Sequence, residues 1–215
     1  MRADKTSADT DWRPFVITGI ALGGALALNL VTHNRLWFWY TVLGLGILLT
    51  FAAATNAYRL PTPPAAVWGV GLTAALHYVG GSLSGLHQIG GPNGLYYAFP
   101  WWDNIVHVLG SAAVAIAAYA TLAATVQAPR PALAVLAIAL SSLVGVVVEL
   151  YEFAQFVFLG TVDQGFYTNT VLDLYYNLLG ATLGAIAYAR VTVQTASAGP
   201  AGLLDVEKAH DPRHE

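Results

Sequence analysis

The stretch ALAVLAIALSSLVGVVVELYEFAQFVF, residues 132–158, decides the fold class of this chain. It contains no Lys or Arg, and its only charged residues are Glu149 and Glu152, which lie in its last third. A helix needs about 20 apolar residues to cross the hydrocarbon core of a bilayer, which is roughly 30 Å thick. The stretch therefore predicts a transmembrane helix that carries two acids.

Five further apolar stretches are long enough to span a bilayer, at about residues 14–32, 36–57, 64–80, 101–125 and 171–192. The composition agrees, since 56% of the residues are hydrophobic and 10% are charged, against roughly 25% charged residues in a soluble domain. We therefore expect an all-α, polytopic membrane protein. Residues 14–193 would form a bundle of six transmembrane helices, flanked by a cytoplasmic tail (1–13) and a cytoplasmic, disordered tail (194–215).

Three alternatives are excluded or disfavoured by simple counts. The first apolar stretch follows basic residues, as in a signal peptide, but exceeds the usual apolar length of about 7–15 residues, so we interpret it as a retained anchor. A formal net charge of -3 gives no basic surface for nucleic acid. The chain has no cysteine, which excludes disulfides and thiolate metal sites.

The distribution of the nine Lys and Arg residues predicts the orientation. In a six-span chain all but one of them lie on the same side, and Arg35 alone lies on the other. Cytoplasmic loops carry the excess of Lys and Arg, so both termini are expected in the cytoplasm of the cell or inner membrane. The eight residues on the cytoplasmic side are Arg2, Lys5, Arg13, Arg59, Arg130, Arg190, Lys208 and Arg213.

With this orientation, four predicted helices carry polar residues at a similar depth near the outer face. They are His77, Asp103 with His107, Glu149 with Glu152, and Asp173 with Asn177. Asp103, His107 and Gly110 share one helix face, and Asp173, Asn177, Gly180 and Gly184 share another, because residues three and four apart are neighbours on a helix. Ionisable residues in membrane helices normally face the bundle interior, and glycine permits close helix contact. Both faces are therefore expected to point inward.

Glycine pairs four residues apart occur at Gly19 and Gly23 and at Gly180 and Gly184. Such pairs let helix backbones approach closely. We interpret both as packing positions within the bundle, with a dimer face as the alternative.

The acids near the outer face lack fixed counter-charges. Carboxylates crowded in a low dielectric cannot all stay ionised without a positive partner. Three mechanisms could reduce this negative charge: protonation of His77, His87 or His107, protonation of some acids, or binding of a cation. A fifth acid, Asp163, lies in the last outer loop.

The residue types suit a divalent metal ion. Carboxylate with imidazole serves Zn, Mn or Fe, and carboxylate with amide oxygens serves Mg or Ca. The candidate metal ligands are Asp103, His107, Glu149, Glu152 and Asp173. As a structural alternative, Asp103 and Asp173 would each cap the start of a helix.

Three stretches together resemble the YjdF-like bacterial inner-membrane proteins: WWDNIVHVLGS (101–111), VVVELYEFAQFVFLG (146–160) and TNTVLDLYYNLLGATLGA (168–185). The family pattern of D-x-x-x-H-x-x-G, E-x-x-E and D-x-x-x-N-x-x-G is matched residue by residue, and an earlier H-x-x-G matches His77 and Gly80. The resemblance covers about residues 70–190. Trp102 stands where the family commonly has tyrosine, and Asp163 is similar to a family aspartate in the last loop. The same order is similar to the broader VanZ-like group, linked to glycopeptide tolerance.

This resemblance implies that the motif residues act as one unit, but it names no substrate. Three functions are consistent with the residues. The first is a metal-dependent membrane enzyme acting on a lipid or cell-envelope substrate, with Glu149, Glu152 and His107 as catalytic residues and Asp173, Asn177 and His77 as substrate-binding residues. The second is a small transporter or a proton- or cation-binding protein. The third is a non-catalytic envelope accessory protein, whose polar cluster holds helices together.

Overall fold

A computed structural model describes residues 11–58, 62–86, 94–160 and 167–197, and every regular element in these ranges is helical. The helices are α1 (Arg13–Val31), α2 (Arg35–Tyr58), α3 (Pro64–Ser82), α4 (Leu95–Ala98), α5 (Trp102–Thr125), α6 (Arg130–Leu159) and α7 (Tyr167–Ser197). A 3-10 helix, Leu83–Leu86, extends α3. His87, Asp163, Arg59 and the tails 1–10 and 198–215 lie outside the described residues.

Each apolar stretch of the sequence corresponds to one long helix, with local differences at the ends. The last helix begins at Tyr167, earlier than expected, and continues through Ser197, into the segment expected to be a disordered tail. Thr168, Asn169 and Thr170 lower the hydropathy of its first turn but do not break a helix. Helix α6 ends at Gly160, which adopts a φ of 67°, a conformation that favours glycine.

Four helices are long and apolar enough to cross a membrane: α1, α2, α5 and α6. The same criterion does not select α3 or α7, whose lengths are 19 and 31 residues. Both contain the polar residues singled out above, and these lower the mean hydropathy of the helices.

Helix α5 occupies the centre of the bundle and packs against α3, α6 and α7. Helix α1 packs against α2 and α3, so the chain forms two groups of three long helices that meet where α3 contacts α5. At the end of the bundle where α1 finishes, Asn29 Nδ2 donates hydrogen bonds to Thr41 Oγ1 of α2 and Ser82 Oγ of α3, at 3.3 and 2.8 Å. These buried bonds join the first three helices at the end where α5 and α7 begin.

The contact between α5 and α7 depends on two glycines. A Cβ atom built on Gly184 would lie 2.8 Å from Ala112 Cα, and one built on Gly180 would lie 2.8 Å from Val108 Cα. These backbone atoms have no room to move, so the predicted packing role of Gly180 and Gly184 is confirmed. The corresponding prediction for Gly19 and Gly23 is wrong within the described residues, because nothing lies within 4 Å of either Cβ position.

Replacing Gly184 with leucine should therefore separate α5 from α7 and lower the free energy of unfolding by about 1–3 kcal/mol or more, the usual range for overpacking. Thermal unfolding in detergent would measure the loss. Gly23→Leu is the matched control, since it has open space and should unfold close to the parent temperature. Equal destabilisation by the two substitutions would contradict this account of the α5–α7 contact.

Candidate functional site

The site is centred on the imidazole of His107, on the second turn of α5. Its Nε2 atom lies 3.3 Å from Asp103 Oδ1, 3.6 Å from Asp173 Oδ1 and 4.0 Å from Glu149 Oε1. These carboxylates come from α5, α7 and α6, so three helices meet at one nitrogen. The close approach of α5 and α7 at Gly180 and Gly184, two and three turns further along α7, places Asp173 within this distance.

The other imidazole nitrogen is held by a separate hydrogen-bond network. His107 Nδ1 lies 3.1 Å from Asn177 Oδ1, which also accepts a 2.7 Å hydrogen bond from the Ser111 hydroxyl. Ser141 of α6 donates to the Ser111 carbonyl at 2.8 Å. Because an amide oxygen only accepts hydrogen bonds, Nδ1 carries a hydrogen. A neutral His107 would then aim the Nε2 lone pair at the carboxylates, so Nε2 requires a proton or a cation.

Burial makes this arrangement costly unless it is compensated. Asp173 is 1% exposed, Asn177 4% and Glu149 4%. Both carboxylate oxygens of Glu149 and Oδ1 of Asp173 are buried without a hydrogen-bond partner. Buried charged groups are normally paired or coordinate a metal, so these oxygens require a proton, a water molecule or a cation as partner.

A subset of the cluster has the geometry of a metal site. Asp103, His107 and Asp173 each offer a ligand atom, and these three atoms lie within 4.8 Å of one another. Carboxylate and imidazole ligands bind first-row divalent ions at about 2.0–2.2 Å, and ligands at that radius lie roughly 3–4 Å apart. The donor types and their spacing therefore fit a divalent ion, with Glu149 as the nearest further carboxylate.

Glu152 and His77 are not part of this contact set. Glu152 is half-buried on α6 and makes no hydrogen bond or ion pair with the residues that the structure describes. His77 lies in a group of aromatic rings, with its ring centroid 4.7 Å from Tyr78 and 5.4 Å from Trp37. The structure thus brings together Asp103, His107, Glu149, Asp173 and Asn177 and leaves these two beside them.

The capping alternative for the two aspartates is wrong. Helix α7 begins at Tyr167, so Asp173 lies well inside it rather than at its start. Asp103 lies in the first turn of α5, but its carboxylate contacts His107 and Asn169, and no side chain caps that helix. Both acids therefore contribute to the cluster rather than to a helix end.

Three residues of the site were missed by the sequence interpretation. Asn169 Nδ2 donates to Asp173 Oδ2 at 2.5 Å and lies 3.4 Å from Asp103 Oδ2, so it joins the two aspartates. Asn169 precedes Asp173 by four residues and Ser111 follows His107 by four, so extending each helical stripe by one turn would have found both. Ser141 lies in an apolar stretch, and nothing in the spacing marks it.

A tyrosine outside the long helices anchors His77. The Tyr96 hydroxyl, on the short helix α4, lies 2.5 Å from His77 Nδ1, and the Tyr96 ring stacks on Trp37 with centroids 5.9 Å apart. Burial raises the pKa of the Tyr96 phenol well above its usual range, so the hydroxyl stays neutral. The bond fixes α4 to α3 beside the cluster.

The helical fold, the apolar helices and the buried cluster of acids around a histidine are features of a helical membrane protein with a polar site. Comparison with known families agrees. The chain belongs to the family described as predicted membrane protein (DUF2238), whose model matches residues 14–194. This is consistent with the YjdF-like resemblance of the motifs. No curated protein and no solved structure matches the chain.

Replacing Tyr96 with phenylalanine should lower the free energy of unfolding by about 1–2 kcal/mol, because a buried histidine nitrogen loses its partner. Denaturant titration in detergent would measure the change. The neighbouring Tyr97→Phe is the control, since Tyr97 is 67% exposed and should tolerate the change. If Tyr97→Phe destabilised the protein as much, the anchoring role of Tyr96 would be refuted.

Proposed function

We propose that this protein spans the cell membrane six times with both termini in the cytoplasm. We further propose that it is a metal-dependent enzyme acting on a lipid or cell-envelope substrate at the outer end of the bundle. The observation that carries the enzyme proposal is the convergence of Asp103, Glu149 and Asp173 on one nitrogen of His107.

The topology is supported by length and charge. Helices α3 and α7 have 19 and 31 residues, enough to cross a core of about 30 Å at 1.5 Å per residue. With six crossings, Arg13, Arg130 and Arg190 lie at one end of the bundle and Arg35 at the other. The positive-inside bias then places the acid cluster on the outer side.

The metal proposal rests on unsatisfied buried oxygens. Asp103, His107 and Asp173 would hold the ion, since their ligand atoms lie within 4.8 Å of one another. A divalent ion would neutralise the carboxylates and polarise a phosphoryl or carbonyl oxygen of a substrate. Asn177 fixes His107 with Nδ1 as the donor, which leaves Nε2 as the ligand atom, the usual role of an outer-shell partner.

The two glutamates differ in their proposed roles. Glu149 lies beside His107 Nε2 with both of its oxygens unpaired, so it is the candidate for a fourth ligand or a general base. Glu152 is half-buried three residues nearer the outer end. In this proposal Glu152 passes protons between the buried site and the outer surface, and His77, within its group of aromatic rings, contacts the substrate.

The substrate class follows from where the cluster lies. Asp103 is 26% exposed at the start of α5, whereas Asp173 and Glu149 are buried below it. A substrate would therefore reach the site from the outer surface or the adjoining leaflet. An envelope substrate would also agree with the resemblance to the VanZ-like group.

The purified protein should contain about one divalent ion per chain, and Asp173→Asn should remove it, because the amide leaves the ion one negative ligand short. Elemental analysis after incubation with Zn, Mn, Mg or Ca would measure this. The same ion should raise the unfolding temperature of the parent but not of the variant. Asn177→Leu should weaken metal affinity by about 10–100-fold.

Glu152→Gln is the matched control, since Glu152 forms no hydrogen bond or ion pair with the three ligand residues and the variant should keep the ion. Metal absent from the parent under every condition would exclude the metal-dependent mechanism. In that case a proton-binding function or simple helix adhesion would account for the cluster. Equal metal content in the parent and in Asp173→Asn would exclude the assigned ligand set.

Reporter proteins should give opposite signals when one is inserted after Gly90, between the third and fourth predicted spans, and another is fused after Glu215. The Gly90 reporter is expected outside, because an odd number of crossings precedes it, and the C-terminal reporter inside. Alkaline phosphatase and green fluorescent protein fusions would measure the two sides. Signals from the same side would refute the six-span topology.

A further inference from the structure

A cavity of about 290 Å³ lies at the turn between α1 and α2, apart from the acid cluster. It is lined by Asn29, Leu30, His33, Arg35, Phe38 and Trp39. It is at the same end of the bundle as the cluster, because Asn29 bonds to Ser82 at the end of α3 and Tyr40 of α2 bonds to Gln155 of α6. At the low end of the usual range for ligand pockets, about 300–1,000 Å³, its size suits a small polar group.

Arg35 supplies a positive charge to this cavity. The other arginines that the structure describes, Arg13, Arg130 and Arg190, lie at the opposite end of the bundle. Arg13 is paired with Asp11 at 2.9 Å, whereas Arg35 forms no hydrogen bond or salt bridge within the described ranges. Its guanidinium, with five N–H donors in a planar fork suited to phosphate, is therefore available for an anion.

The back wall of the cavity is fixed by buried hydrogen bonds. Asn29 is 1% exposed, and its Nδ2 donates to Thr41 and Ser82. Its Oδ1 is buried without a hydrogen-bond partner. These bonds hold the Asn29 side chain in place, so this wall of the cavity is formed before any ligand binds.

The rim of the cavity is apolar and faces the surroundings of the bundle. Leu30 is 57% exposed and Trp39 is 64% exposed, and both lie at the ends of helices apolar enough to cross a membrane. Tryptophan is enriched at the membrane–water interface. Arg35, the cavity and its apolar rim thus occur together at the depth where phospholipid headgroups lie. This combination favours a lipid over a soluble anion as the ligand.

We propose that this cavity binds the phosphodiester headgroup of an anionic membrane phospholipid. The phosphate contacts Arg35, the headgroup occupies the cavity in front of Asn29, and the acyl chains lie against Leu30 and Trp39. The site is independent of the metal site, because it shares no residue with it and needs no ion.

Phosphatidylglycerol added to the detergent-purified protein should raise its unfolding temperature, and native mass spectrometry should show the lipid retained. Arg35→Gln should lose at least half of both effects, because the substitution removes the charge but disturbs no bond. Arg190→Gln, an exposed arginine at the far end of the bundle, should behave like the parent. Phosphatidylcholine and inorganic phosphate should each have little effect.

Equal responses of the parent and Arg35→Gln would overturn the proposal. A full response to inorganic phosphate would show a general anion site instead of a lipid site, and a full response to phosphatidylcholine would show that the charge of the headgroup is irrelevant. Metal content measured on Arg35→Gln separates the two proposals: the variant should keep its ion whether or not it binds lipid.

Discussion

The packing of α5 directly against α7 is the constraint on which the site depends. Backbone atoms of Val108 and Ala112 occupy the space that side chains at Gly180 and Gly184 would fill. Two helices in such contact bring short side chains into reach of one another, and Asp173 and Asn177 lie on the same stripe as the two glycines. A longer distance between the helix axes would leave the aspartate and the asparagine too far from His107 to contact it. The glycines therefore set the geometry of a site in which they take no direct part.

The two nitrogens of His107 have opposite environments, and this asymmetry defines the chemistry. Asn177 Oδ1 accepts a hydrogen bond from His107 Nδ1, and the same oxygen accepts one from the Ser111 hydroxyl. On the Nε2 side, three carboxylates lie between 3.3 and 4.0 Å away. A single imidazolium charge cannot balance three carboxylates in a medium of low dielectric. A divalent ion balances more of that charge and also uses the Nε2 lone pair, which is why the metal proposal explains more of the geometry than a proton on His107 does.

Sequence patterns predicted the long helices and the common level of the polar groups along the bundle, because hydropathy and helical spacing are properties of single helices. They could not tell which of Glu149 and Glu152 is the more buried, since residues three apart share a helix face. Packing against α5 buries Glu149 and leaves Glu152 half-exposed. The patterns placed His77 at the same end of the bundle as the acids, but the aromatic rings of Trp37 and Tyr96 beside it come from other elements. The sequence also could not predict the open space beside Gly19 and Gly23, because that space depends on where the other helices lie. Small residues permit close helix contact, but the rest of the fold decides whether another helix packs against them.

The far half of the bundle bears on the choice between catalysis and transport. There, α5, α6 and α7 meet through a dry core that includes Tyr119 and Leu133, and its alanines Ala115, Ala137, Ala181 and Ala185 are buried. No acid or histidine belongs to this core within the described residues, so the core offers no ionisable side chain to a proton or cation moving from His107 toward that end. Transport would require these closely packed helices to separate, and alanine contacts of this kind resist separation because they lose van der Waals contact over their whole length. This packing of the far half is the reason for proposing a reaction at one end of the bundle rather than transport through it.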